Sequence, residues 1–140
     1  MDGTLTASPT DINADATLTV LVSARDAITS GDQIELVDIA PGAFSTANTE
    51  CSLASEFTGW LSITACDVQD TSVMVTLEPI FSVALFTLEF THFTNPPSTS
   101  TTSVTIKRYQ NGGLYEETDV ALSEFTPISL QGATITALSD

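Results

Sequence analysis

Oxygen-bearing side chains recur at alternate positions near the start of the chain, where "DINAD" contains Asp11, Asn13 and Asp15. This is the ligand spacing in the first half of an EF-hand calcium loop. The complete pattern requires glycine at the sixth position and glutamate at the twelfth, but the chain has Ala16 and Val22 there. These residues therefore predict no EF-hand and only a weak calcium site, and an ordinary polar turn is the alternative interpretation.

The side chains needed for hydrolytic chemistry are few. His92 is the single histidine, so a Ser-His-Asp triad would have to use it, and no serine lies in a nucleophile-elbow context. Glu116 and Glu117 are adjacent, so they point to opposite faces of a strand and cannot act as a pair across a cleft. The sequence therefore predicts that the protein is not an enzyme.

The single lysine, Lys107, raises the question of a Lys–Asn isopeptide cross-link, which requires a buried lysine beside Asn or Asp and an acid catalyst. Lys107 is followed by Arg108 and lies close to an Asn111-Gly112 turn. Both features predict exposure to solvent, so no cross-link is expected.

The two cysteines, Cys51 and Cys66, enclose 14 residues. In an oxidising compartment a disulfide closing such a loop contributes about 3 kcal/mol of stability. Two unrelated buried thiols are the alternative. No further cysteine and no neighbouring histidine completes a zinc site.

Three aromatic residues, Trp60, Tyr109 and Tyr115, are candidates for a platform that stacks on sugar faces. The alternative interpretation is packing. Tyr109 and Tyr115 flank the Asn111-Gly112 turn and would pair across a hairpin, and Trp60 would pack against a disulfide as in immunoglobulin domains.

Composition excludes several classes of partner. The chain has 18 acidic residues and 3 lysines or arginines, a formal net charge of −15. Such a field repels phosphate backbones, so we expect no nucleic acid as a partner. No apolar run approaches the roughly 20 residues that span a bilayer, so no membrane insertion is expected. Ser and Thr, 15 and 23 residues, supply a hydroxyl-rich surface typical of secreted β proteins.

Polar and apolar residues alternate with a period of two along most of the chain, and no helical period competes. The predicted strands lie within 16–25, 31–39, 60–66, 71–78, 84–93, 104–120 and 128–138. Asn111-Gly112 is the preferred pair for a type I′ hairpin turn. About eight to ten strands in a chain of 140 residues predict one all-β domain, a two-sheet immunoglobulin-like Greek-key sandwich over residues 1–140. The Ser/Thr run at 98–103 predicts a loop, with O-glycans as an alternative.

Two stretches combine several motifs. An alternating strand, a Gly-Asp turn, a second strand and Pro-x-x-Phe follow one another in "LTVLVSARDAITSGDQIELVDIAPGAF". An Asn-Pro-Pro-Ser segment and a hairpin follow one another in "FTHFTNPPSTSTTSVTIKRYQNGGLYEE". Both stretches resemble the immunoglobulin-like tandem repeats of giant secreted surface proteins, notably those of ciliates and other protists. The resemblance covers roughly residues 4 to 126. It implies a repeated, extracellular, non-enzymatic module, with a cysteine pair where Cys51 and Cys66 lie.

The chain ends much as it begins. Thr4, Leu5, Thr6 and Ala7 match Thr134, Ile135, Thr136 and Ala137 at an offset of 130 residues. Chance in a Thr-rich sequence is one explanation, and one period of a tandem array is a second. A third is a terminal strand that completes the sheet of a neighbouring copy.

These observations predict an extracellular or cell-surface structural module of a filament or coat, joined to copies of itself or to neighbouring repeats through its terminal strands. The alternative is an adhesin-type binding module that recognises glycan or protein through its loops.

Overall fold

The computed structural model describes residues 1–97, 103–122 and 125. The described chain forms nine strands and one short 3-10 turn, at Ser55–Phe57. The strands are β1 (Asp2–Ser8), β2 (Asp15–Ser23), β3 (Gln33–Val37), β4 (Cys51–Leu53), β5 (Leu61–Val68), β6 (Val73–Pro79), β7 (Leu85–Thr94), β8 (Ser103–Gln110) and β9 (Gly113–Ala121). The strands predicted between residues 16 and 120 are confirmed. The short strand β4 was not predicted, and β1 was predicted only as the candidate inter-module strand. The strands predicted in 128–138 lie outside the described residues.

The strands form two antiparallel sheets. One has the order β1-β2-β7-β4 and the other has the order β5-β6-β3-β8-β9. Strands far apart in sequence are neighbours, because β2 pairs with β7 and β3 pairs with β8. The predicted all-β, two-sheet sandwich is therefore confirmed.

Alternation along the strands builds the core between the sheets. Leu18, Val20 and Val22 on β2 are fully buried, as are Phe86 and Leu88 on β7. The alternation of β7 shifts at His92, which has a left-handed φ of 53° beside an irregularity in the β2–β7 register. This shift turns Phe93 inward as well as Phe90, and both rings pack against Phe44.

The turns gather at two opposite ends of the sandwich. The loops 24–32, 54–60 and 80–84 and the turn at 111–112 lie at one end, which we call the Trp60 end. The loops 9–14, 38–50, 69–72 and 95–97 lie at the other, which we call the Asn95 end. Asn111 and Gly112 have φ values of 53° and 80°, as a type I′ turn requires, so the predicted hairpin is confirmed.

Candidate functional site

The two long sides of the sandwich are closed differently. On one side, the Cys51–Cys66 disulfide joins β4, an edge strand of the first sheet, to β5, an edge strand of the second, with the Cα atoms 6.2 Å apart. The predicted disulfide is confirmed. It stabilises the sandwich at this side because it ties together two edge strands that share no backbone hydrogen-bond ladder. On the other side, β1 approaches β9, and Leu5 forms an isolated parallel bridge with Leu122.

The candidate inter-module strand, Thr4 to Ala7, lies in β1, an edge strand. Its inner edge pairs with β2, where Leu5 is opposite Val20 and Ala7 is opposite Leu18. Leu5 and Ala7 are buried in the core, while Thr4 and Thr6 are exposed. Within the described residues, the only bridge on the outer edge of β1 is the one between Leu5 and Leu122. The matching residues Thr134, Ile135, Thr136 and Ala137 lie outside the described part of the chain.

The directions of the terminal strands suit contacts between successive copies. β1 begins at the Trp60 end, because Asp2 pairs with Ser23. β9 ends at the Asn95 end, because Ala121 pairs with Ser103. β1 therefore starts at one end of the sandwich and β9 finishes at the other, and Phe125, beyond β9, is still buried in the core.

An exposed apolar cluster, which we call the apolar tip, lies at the Trp60 end and consists of Trp60, Ile80 and Phe81. The N–H groups of Ile80 and Phe81 both donate to the Trp60 carbonyl, beyond the last β5–β6 pair. The Trp60 and Phe81 rings meet edge to face with centroids 5.5 Å apart. The exposed fractions are 46%, 54% and 59% for Trp60, Ile80 and Phe81. Grouped exposed side chains of this size are typical of a contact surface.

An apolar pocket of about 140 Å³ opens at the Asn95 end. Its walls come from the start of the β3–β4 loop, the end of β7 and the residues next to Leu122: Asp38, Ile39, Ala40, Ala43, Phe93, Thr94, Pro96, Val104 and Leu122. Asp38 is the one charged residue among these lining residues. No local pattern in the sequence predicts this pocket, because its walls come from four separate stretches of the chain.

The three aromatic residues proposed as a sugar platform do not share one surface. The Tyr109 hydroxyl donates to Glu35 at 2.9 Å, whereas the Tyr115 hydroxyl donates to Asp26. An irregularity in the β8–β9 register pairs Tyr109 with Leu114 and leaves Tyr115 without a cross-strand partner in that ladder. Trp60 precedes β5, which is separated from β8 by β6 and β3. Trp60 is half exposed in the apolar tip, where its ring contacts Phe81, and is not buried as a core tryptophan would be.

The predicted exposure of Lys107 is only partial, since its side chain is half-buried, and the next residue, Arg108, is fully buried. Alternation explains the difference. Arg108 follows Val104 and Ile106 on the inward face of β8, and Lys107 faces outward beside Glu35 and Glu117 on the neighbouring strands. The alternation that places Arg108 on the inward face is visible in the sequence. The acids that accept hydrogen bonds from its guanidinium come from distant positions in the chain.

Three carboxylates converge on the buried guanidinium. Asp26, Asp32 and Glu116 lie 2.8, 2.8 and 2.7 Å from its nitrogens. Arg108 also donates to the carbonyls of Asp26 and Ala27, at 3.2 and 3.0 Å. The network ties the loop 24–32 to the β8–β9 hairpin, so it fixes the shape of the Trp60 end.

The charges in this network reinforce one another. Burial raises the pKa of Asp32, but hydrogen bonds from the Thr29 N–H and hydroxyl, together with Arg108, outweigh burial and keep that pKa below its ordinary value. The hydrogen bond from the Tyr115 hydroxyl lowers the pKa of Asp26, and Arg108 adds to that shift against the opposing effect of burial. For Arg108, burial lowers the pKa, but its carboxylate partners outweigh this and raise the pKa. All three groups are therefore charged at neutral pH.

The candidate calcium residues lie in and beside a hydrogen-bonded turn. The Asp11 carbonyl accepts from the Ala14 N–H at 3.2 Å and from the Asn95 side chain at 2.7 Å. Asn13 has a φ of 60°, and the Asp15 carboxylate lies 3.4 Å from His92 Nδ1. Among the residues that the structure describes, no three His, Cys, Asp or Glu side chains are grouped as metal ligands. The arrangement fits the polar turn, which was the alternative interpretation.

No helix in the described ranges is long and apolar enough to cross a membrane. The Ser/Thr run proposed for O-glycans lies outside the described residues except for Ser103.

Comparison with known proteins shows the fold. No family model matches the chain, and no curated protein matches it in sequence. Among solved structures, the chain is similar to BslA, a bacterial hydrophobin, with a TM-score of 0.50 and 14% identity over 92% of this chain and 97% of that one.

Two other solved structures are more distant. One is self-complemented MyfA, the major subunit of the Myf fimbriae of Yersinia enterocolitica, with a TM-score of 0.46 and 10% identity over 89% and 98% of the two chains. The other is a non-cellulosomal cohesin of Archaeoglobus fulgidus, with a TM-score of 0.39 and 12% identity over 89% and 93%. At these identities the likeness shows a β-sandwich fold and identifies no family. The β-sandwich fold that the resemblance to protist surface repeats implied is therefore shown, whereas membership of that family is not.

Proposed function

We propose that this protein is a non-enzymatic structural module of an extracellular filament or coat, and that its copies join head to tail through their terminal strands. One observation carries the proposal: β1 is an edge strand that starts at the Trp60 end, and β9 finishes at the Asn95 end, followed by Leu122 beside that same edge. Backbone groups at a sheet edge are a template for strand addition.

Two further features support this role. The disulfide ties the β4 and β5 edges together, so a pulling force along the chain does not separate the sheets there. A disulfide also suits an oxidising, extracellular compartment. The net charge of −15 keeps the remaining surface hydrated and prevents indiscriminate association.

The proposal is tested with the full chain, by electron microscopy and sedimentation without refolding. We expect regular fibres with an axial repeat of one domain. Ile135→Pro removes a backbone donor from the candidate C-terminal strand and should leave single particles. Thr101→Pro, in the Ser/Thr run beyond Pro96 and Pro97, is the matched control and should leave the fibres intact. Well-dispersed particles of the unmodified chain at every concentration would overturn the proposal.

An adhesin-type binding module is the second candidate, because the apolar tip exposes the Trp60 and Phe81 rings on loops at one end of the sandwich. This function predicts a monomer whose melting temperature rises when a glycan or protein ligand is added. A glycan-array screen paired with thermal unfolding separates it from the structural role.

A further inference from the structure

The apolar tip and the apolar pocket lie at opposite ends of the same sandwich. The tip follows the last β5–β6 pair, Leu61 with Pro79, whereas the pocket lies beyond the other end of the same sheet. A rigid sandwich cannot bring its own tip into its own pocket. In the head-to-tail array of the proposed function, however, the Trp60 end of one copy faces the Asn95 end of the next.

The sizes of the two features match. The pocket has a volume of about 140 Å³ and is lined mostly by apolar side chains. An apolar cavity of roughly 150 Å³ holds a benzene molecule. A phenyl ring therefore fits, and Phe81 is the most exposed side chain of the tip, at 59%.

Charge also favours this pairing. Two copies that each carry a net charge of −15 repel one another, so close contact is favoured between faces with few acidic side chains. The tip lies within 57–66 and 79–88, two segments that contain no charged residue and that follow the exposed Glu56 and Glu78. Across the contact, Asp38 is the single acid among the pocket residues.

The contact supplements strand pairing and is too small to replace it. The exposed fractions of Trp60, Ile80 and Phe81 correspond to roughly 300 Å² of apolar surface, taking about 200 Å² for a whole side chain. Both sides together would bury on the order of 600 Å², less than the roughly 1,200 Å² of a stable specific interface. The contact would set the orientation of copies that are already joined.

We propose that the apolar tip of one copy, led by Phe81, inserts into the apolar pocket of the next copy. This inference rests on the proposed head-to-tail assembly and names the side chains that meet. A contact between two different surfaces of the same molecule joins each copy to the next. It builds a fibre whenever the rotation between successive copies does not close a ring.

The test uses two complementary variants of the full chain. Phe81→Ser removes the leading tip side chain and leaves the pocket intact. Ala40→Trp covers the pocket from an exposed lining position and leaves the tip intact. Two matched controls are used. Leu114→Ser removes another exposed apolar side chain at the Trp60 end but outside the tip, because β9 is separated from β5 by three strands, and Ala40→Ser leaves the pocket open. Thermal unfolding verifies that each variant folds.

Sedimentation velocity should show that each single variant needs roughly 10- to 100-fold more protein to assemble, the loss that corresponds to one buried phenyl side chain. At a concentration where each variant alone is monomeric, an equimolar mixture should form 1:1 dimers, because one intact tip then meets one intact pocket. Both controls should assemble like the unmodified chain.

Three results would overturn the inference. Self-association of Ala40→Trp but not of Phe81→Ser would show that tips meet tips. Assembly of both variants at the unmodified concentration would place the contact elsewhere and leave the proposed function standing. Absence of assembly by the unmodified chain would overturn the inference and the proposed function together.

Discussion

Replacing Arg108 by methionine tests whether the buried charge network holds the Trp60 end of the sandwich. The substitution keeps a long unbranched side chain but removes the single positive charge shared by three carboxylates. Asp32 and Glu116 have 1% and 7% of their side chains exposed, so both would stay buried without a cationic side chain beside them. Hydrogen bonds from Thr29 to Asp32 and from the Arg25 N–H to Glu116 would remain. Asp26, at 50% exposure, would be rehydrated.

The expected cost follows from this burial. Removing one partner from a buried ion pair typically costs about 3–5 kcal/mol, because the remaining charge is left without compensation. That is a large share of the roughly 5–15 kcal/mol by which a domain is stable. At about 3 °C per kcal/mol for a chain of this length, the melting temperature should fall by roughly 10–15 °C.

The assay is urea and thermal unfolding at pH 7, with Lys107→Met as the matched control. Lys107 precedes Arg108 on β8 and faces outward, so its replacement should change stability by less than about 0.5 kcal/mol. The double variant Arg108→Met/Asp32→Asn should recover part of the loss, because it removes one of the two buried carboxylate charges that have lost the guanidinium. Equal stability of Arg108→Met and Lys107→Met would refute the argument.

Three further predictions concern the rest of the fold. Reducing the Cys51–Cys66 bridge, or replacing both cysteines by alanine, should cost about 3 kcal/mol in urea unfolding, and a loss below 1 kcal/mol would show that the β4 and β5 edges hold without it. Gly3→Ala should cost about 1–3 kcal/mol, because its Cβ would lie 2.7 Å from Ile106 Cδ1 and 3.0 Å from the Leu21 carbonyl oxygen. Gly59→Ala, with no atom within 4 Å of the new Cβ, is the control. Because the pKa of Asp32 is lowered in the folded state, its stabilising contribution is complete above its ordinary value near 4 and is lost as the pH falls through the lower folded value. Unfolding measured between pH 7 and pH 2 should show this loss, and Asp32→Asn should flatten it.

The sequence by itself determined the fold class. Alternation with a period of two reports which face of a strand is buried, and the Asn111-Gly112 pair reports a turn, because both are local properties of the backbone. The cysteine spacing allowed a disulfide. The alternation of Val104, Ile106 and Arg108 already placed Arg108 on the same face of the strand as the two apolar residues. The short strand β4 carried no such signal, since three residues are too few to show a period.

Only the tertiary structure decided which distant residues meet. The partners of Arg108 lie on the loop 24–32 and on β9. The local periodicity of the sequence does not predict the conformation of such a loop. Trp60 and Phe81 come together because Pro79 pairs with Leu61 at the end of the β5–β6 ladder. The apolar tip and the apolar pocket lie at opposite ends of the sandwich, because they lie beyond opposite ends of the strands. Which residues meet at each end depends on strand pairing over long separations in the chain.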